Sequence, residues 1–175
     1  MNTRSGNEPH RILGLDVRPH RLGYAGIEPP ARLFDFGASR FDSLRAGELR
    51  LAFILKSARP QVLVLRRISP RGWRDRPRTR RLQRLARHLA RHSSIETALV
   101  NEKQLVGYFR TEGARTNYEI ASSLARRFPE LAYRLPRRRK PWDPQSRRML
   151  IFDALSLAIV YVGFHSDTDV ITHLR

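Results

Sequence analysis

The sequence has no cysteine, which excludes disulfides, thiolate catalysis and zinc held by cysteine. Lysine is nearly missing as well. Only Lys56, Lys103 and Lys140 occur, so all but three of the 34 Lys plus Arg residues are arginine. Acids are few, 16 Asp plus Glu, and the formal net charge is +18. No run approaches the roughly 18 apolar residues of a membrane span, and the N-terminus carries no apolar signal core. The expectation is a cytoplasmic protein with no membrane partner. His10, His20, His88, His92, His165 and His173 are scattered. His88 and His92 share a helix face at i, i+4, but no H-E-x-x-H pattern accompanies them, which argues against a zinc site.

What the chain has in excess is arginine. The guanidinium forks onto phosphate through two N–H groups and stacks on bases, so this composition points to a nucleic-acid partner. An anionic membrane surface is the weaker reading, because the basic segments lack an amphipathic helix rich in Trp or Phe. A hydrophobic content of 41% in 175 residues suits one globular domain with a full core.

The chain divides into a flexible N-terminus over 1–10, one domain over 11–163 and a polar tail over 164–175. Ile12-Leu13-Gly14-Leu15 is an apolar run ending at Asp16. A short basic turn follows, and Gly23 to Ile27 returns as a second strand, giving a hairpin over 11–28. Leu33 to Ala38 alternates as a third strand. Asp42 is a plausible N-cap for a helix from Ser43 to Ala58, with Leu44, Leu51, Leu55 and Ala58 on one face and Pro60 as its stop. Val62 to Leu65 reads as a strand covered on both faces.

A Pro/Gly/Arg loop with Trp73 leads to a helix from Thr79 to His92. Leu82, Leu85, Ala86 and Leu89 face inward, and the reverse face is almost wholly arginine. Between Arg66 and Arg91 there are eleven arginines and one acid, Asp75. Thr97 to Val100 is a short strand. Thr116 and Glu119 form a capping box for a helix that carries Ile120, Ala121, Leu124, Ala125 and Phe128 on one side. The basic loop Arg134 to Lys140 precedes Trp142 and a final apolar helix from Gln145 to Val162, with Asp153 inside it. Three strands, helix, strand, helix, strand and two helices predict an α/β fold. Its mixed five-stranded sheet contains an antiparallel three-strand meander and carries helices on both faces.

A carboxylate at the end of an apolar strand is costly to bury without a cation. Asp16 either meets such a cation or caps the hairpin turn. Gly14-Leu15-Asp16 followed by Gly23-Tyr24, and Asp153-Ala154-Leu155-Ser156-Leu157-Ala158 on the last helix, resemble the motifs of RuvC-type Holliday-junction resolvases in the RNase H-like superfamily. The resemblance spans about residues 11–162. It implies an RNase H-like fold and a carboxylate cluster holding two Mg²⁺ or Mn²⁺ ions about 4 Å apart across a scissile phosphate. Asp16 and Asp153 match the first and last acids of that cluster, as catalytic and metal-ligating residues. The strand after Pro60 should end in a catalytic Glu, and Arg66 stands there. The additional acid three residues before Asp153 falls at Leu150.

Two acids and an arginine make a poor site for two divalent ions, which prefer several hard oxygen ligands. The leading expectation is that Arg66 reaches Asp16 and Asp153 and replaces the cation, leaving a nucleic-acid-binding protein without a metal cofactor. The alternative is a metal-dependent endonuclease that recruits Glu102 or Asp143. A third is a basic scaffold for RNA. Candidate phosphate contacts are Arg71, Arg74, Arg80, Arg84, Arg87, Arg137, Arg138, Arg139 and Lys140. Trp73 and Trp142 are placed to stack on an unpaired base or to anchor their loops. Structured or branched DNA is favoured over RNA as partner. The resemblance also implies a homodimer, although the basic second helix would repel its own copy.

Overall fold

The structure, a computed structural model, describes residues 10–30, 32–70, 72, 76–138 and 146–172, with side chains described up to 165. Five strands form one sheet: β1 (Ile12–Arg18), β2 (Arg21–Glu28), β3 (Arg32–Arg40), β4 (Val62–Arg66) and β5 (Glu96–Val100). Their order is β3-β2-β1-β4-β5. The first three form an antiparallel meander, while β4 and β5 join β1 in parallel. This is the mixed sheet expected from the order of elements. The two-residue turn between β1 and β2 forces their antiparallel pairing, whereas the helices between β3, β4 and β5 permit parallel returns.

Helices cover both faces. On one lie α1 (Leu44–Ala58) and α2 (Pro77–His92), packed on Leu13, Leu15, Leu63 and Leu65. On the other lie α3 (Glu102–Thr111), α4 (Asn117–Arg127) and α5 (Met149–Thr172), packed on Ile12, Ile27, Val62 and Val64. A short 3₁₀ turn spans Pro129–Arg134. From Met149 to Tyr161 every residue of α5 is buried, as befits a helix apolar on all sides and enclosed between sheet and helices. None of the described helices is long and apolar enough to cross a membrane.

Several boundaries differ from the sequence reading. Ser43, not Asp42, caps α1: its extended backbone lets Oγ accept from the Ala46 N–H at 3.1 Å. Asp42 lies one residue too early and sits at the surface, 3.8 Å from Arg40. Helix α3 was not expected. It opens on a capping box in which Asn101 and Gln104 exchange bonds of 2.8 and 2.9 Å, and it buries Leu105 and Phe109. The last helix starts at Met149 and continues to Thr172, into the segment expected to be a tail. The Thr116–Glu119 box forms as expected. Two backbone N–H bonds hold the Glu119 carboxyl below its usual range.

Two glycines set how close α5 comes to the sheet. A Cβ on Gly14 would run into the Ala154 carbonyl oxygen, and one on Gly23 into the Leu150 carbonyl. Both obstacles are helix backbone, which cannot swing aside as a side chain can. Gly14→Ala should therefore destabilise the protein by about 1–3 kcal/mol or more, read from urea unfolding. A variant as stable as the parent would show that α5 does not depend on this approach.

Candidate functional site

The close approach of α5 brings Asp153 over the end of β1. Asp16 and Asp153, 137 positions apart by their numbering in the chain, are both buried, at 1% and 8% exposure. The cation between them is Arg18. Its Nε donates to Asp16 Oδ2 at 3.0 Å and its Nη2 to Asp153 Oδ2 at 2.5 Å. Arg18 is itself only 6% exposed. Strand geometry explains the reach, since residues two apart share a face and Arg18 follows Asp16 by two. Asp16 is thus a buried ion-pair partner and not a cap on the hairpin turn.

Arg66 ends β4 on the other side of Asp16. Its Nε lies 3.6 Å from Asp16 Oδ1, and its Nη1 donates to Glu102 Oε2 at 2.5 Å. The expectation that Arg66 would bridge the two aspartates is corrected here, because the bridging guanidinium belongs to Arg18. Arg66 instead links Asp16 to Glu102, on the first turn of α3. Charges alternate along the row Asp153, Arg18, Asp16, Arg66, Glu102. Only Glu102, with a side chain 63% exposed, faces water. Leu150, at the position of the additional acid, is buried against Gly23. Asp143 lies outside the described residues.

A divalent ion does not fit this arrangement. Mg²⁺ requires near-octahedral oxygen at about 2.0–2.1 Å, and one oxygen of each aspartate already accepts from Arg18. Two unit charges 4 Å apart interact by about 4 kcal/mol at an effective dielectric of 20. A doubly charged ion beside Arg18 and Arg66 would meet several such repulsions. Among the described residues, no group of three or more His, Asp or Glu side chains is placed to hold a metal ion.

The arginine surface starts where this row ends. A cleft of about 720 Å³ lies between the segment after β4 and helix α2, lined by Arg67, Arg80, Arg84 and Arg87 with Leu99 at its side. Gln83 donates to the Arg66 carbonyl at 3.0 Å, tying α2 to the buried charge row. Arg80, Arg84 and Arg87 are exposed, as their place on the outer face of α2 requires. Arg67, Arg84 and Arg87 have no ion pair among the described residues. Arg67 was not singled out from the sequence. Arg137 and Arg138 are exposed. Arg71, Trp73, Arg74, Arg139, Lys140 and Trp142 lie outside the described residues.

Solved structures share this architecture. Thermus thermophilus RuvC in complex with a Holliday junction substrate matches with a TM-score of 0.63 and 12% identity, over 89% of this chain and 94% of that one. A yeast mitochondrial Holliday junction resolvase gives 0.68 and 12%, over 95% and 82%. The fowlpox virus Holliday junction resolvase gives 0.60 and 13%, over 88% and 99%. No protein-family model matches the chain, and no curated protein matches it in sequence. At these identities the likeness is one of fold, the RNase H-like fold of RuvC-type resolvases.

The geometry ranks the two central arginines. Arg18→Met removes the guanidinium that two buried carboxylates share and should cost about 3–5 kcal/mol. Arg66→Met leaves Asp16 on Arg18 and Glu102 in water, and should cost less. Guanidinium chloride unfolding of the two variants checks the order, and an equal or reversed ranking would contradict the assignment of Arg18 as the bridge.

Proposed function

We propose that this protein binds nucleic acid, with branched or structured DNA as the favoured form, and that its RNase H-like centre is closed by arginine and does not work as a two-metal nuclease. The observation that carries the reading is the Arg18 bridge between Asp16 and Asp153. The carboxylates that would coordinate metal by resemblance instead neutralise a buried guanidinium, and Arg66, where the resemblance expects a Glu, adds a second positive charge.

The arginine-lined cleft beside α2 supplies the affinity. Guanidiniums fixed on one helix face present donors to phosphate oxygens without reading base edges, so binding follows backbone shape more than sequence. Structural neighbours include proteins solved with Holliday junction DNA, which supports a branched partner here. A second reading, a Mg²⁺-dependent structure-selective endonuclease, draws on one observation: Glu102 is a third carboxylate, one guanidinium away from Asp16.

Fluorescence anisotropy with a labelled four-way junction should show affinity falling with salt, the slope of log K against log salt being about 0.9 per phosphate neutralised. Replacing Arg80, Arg84 and Arg87 by Ala should make that slope shallower by about 2.7, on the count of one phosphate per arginine. Incubation of junction, duplex and single strand with Mg²⁺ or Mn²⁺ should leave them intact. Cleavage that Asp153→Asn abolishes would overturn the reading in favour of the endonuclease.

A further inference from the structure

The molecule has a second arginine-lined cleft, at the far side of the sheet. It encloses about 550 Å³ along the outer edge of β3, where Phe36, Gly37 and Ala38 form its floor. Arg50 enters from α1 on one face of the sheet; Arg134, Arg147 and Arg148 enter from the other, ahead of α5. We propose that this cleft is a second binding site for the phosphodiester backbone, so that nucleic acid is held on both sides of the buried aspartate pair. The proposal rests on the nucleic-acid reading above and adds to it the path the backbone takes.

The charges in this cleft are poorly compensated. No carboxylate pairs with Arg134, Arg147 or Arg148 among the described residues. The Nε of Arg134 is buried without a hydrogen-bond partner. Arg50 uses its Nε on Ser39 Oγ at 2.9 Å, a neutral acceptor. Asp35, on β3, is engaged by the Tyr24 hydroxyl, which burial and Asp35 together keep protonated above its ordinary range. Four guanidiniums around one concavity repel one another unless an anion enters. Arginine's planar fork suits a phosphate better than it suits isolated water molecules. The first turn of α5 has no acidic residue to oppose an incoming anion, and its amide dipoles add a further positive contribution.

Sheet register ties the two clefts together. Ala38 pairs with Gly23, and Gly23 with Asp16. Arg66 pairs with Val100, and its side chain flanks Asp16 on the opposite side from Gly23. One transverse row therefore runs from the β3 cleft through the aspartate pair to the α2 cleft. At about 4.8 Å per strand the row spans roughly 19 Å, which at 3.4 Å per charge along a strand corresponds to about six phosphate spacings. Neither cleft alone spans the row.

The test uses the full chain and a labelled four-way junction. Arg147 and Arg148 are exposed and have no ion pair among the described residues, so Arg147→Ala with Arg148→Ala should keep the parent Tm; Arg147→Gln with Arg148→Gln, which retains more of the side chain, is the second pair. The expected result for either pair is a slope of log K against log salt shallower by about 1.8, with the Arg80, Arg84 and Arg87 contribution intact. Parent affinity and slope in both pairs, alongside a loss on changing the α2 arginines, would overturn the second site and leave the nucleic-acid reading standing. Absence of salt-dependent binding by the parent would overturn both. A shift in Tm by inorganic phosphate that needs Arg147 and Arg148, with no change in junction binding, would assign the cleft to free phosphate and overturn the backbone path.

Discussion

Two carboxylates buried on opposite elements can share one site only if something positive lies between them. Each would otherwise cost several kcal/mol to desolvate. In this protein that positive group is the Arg18 guanidinium, which satisfies an oxygen of Asp16 and one of Asp153 at once. The pairing joins the first strand to the last helix, across nearly the whole chain. It also bears on the chemistry: the two carboxylate oxygens that accept from Arg18 are not free for the inner sphere of a metal.

The bridge depends in turn on bare backbone. Gly14 and Gly23 let α5 lie on β1 and β2 with its carbonyls where side chains would otherwise stand, and this brings Asp153 down to Arg18. Leu150 fills the neighbouring turn of the helix with an apolar contact on Gly23. The row then continues through Arg66 to Glu102, whose position on the first turn of α3 gives it solvent. Charge is neutralised inside the row, whereas Arg67, Arg84 and Arg87 in the α2 cleft and Arg134, Arg147 and Arg148 in the β3 cleft have no acidic partner among the described residues. The interior is held by ion pairing, and the proposed function assigns the cleft arginines to phosphate.

Much of this was legible in the residues. The apolar run ending in Asp16, the single acid between Met149 and Val162, and Gly14 and Gly23 in the motif around Asp16 all stand out without a structure. Arg18 did not. The apolar run ends at Asp16, which by pattern alone puts Arg18 in the turn, whereas β1 continues through it. Its spacing of two from Asp16 was a usable signal, masked by so many other arginines. Helix α3 escaped for a related reason: its cap is Asn101 with Gln104 rather than the usual Ser or Thr with Glu. The β3 cleft could not be read at all, because it assembles Arg50 with Arg134, Arg147 and Arg148 from three separate segments.

The most direct test of the arginine-closed centre is a crystal structure of the protein grown in Mn²⁺, with anomalous diffraction measured at the manganese edge. Arg18 should be found between Asp16 and Asp153, with no anomalous peak beside either carboxylate. A peak at about 2.1 Å from oxygens of both aspartates, with Arg18 displaced toward solvent, would contradict the account.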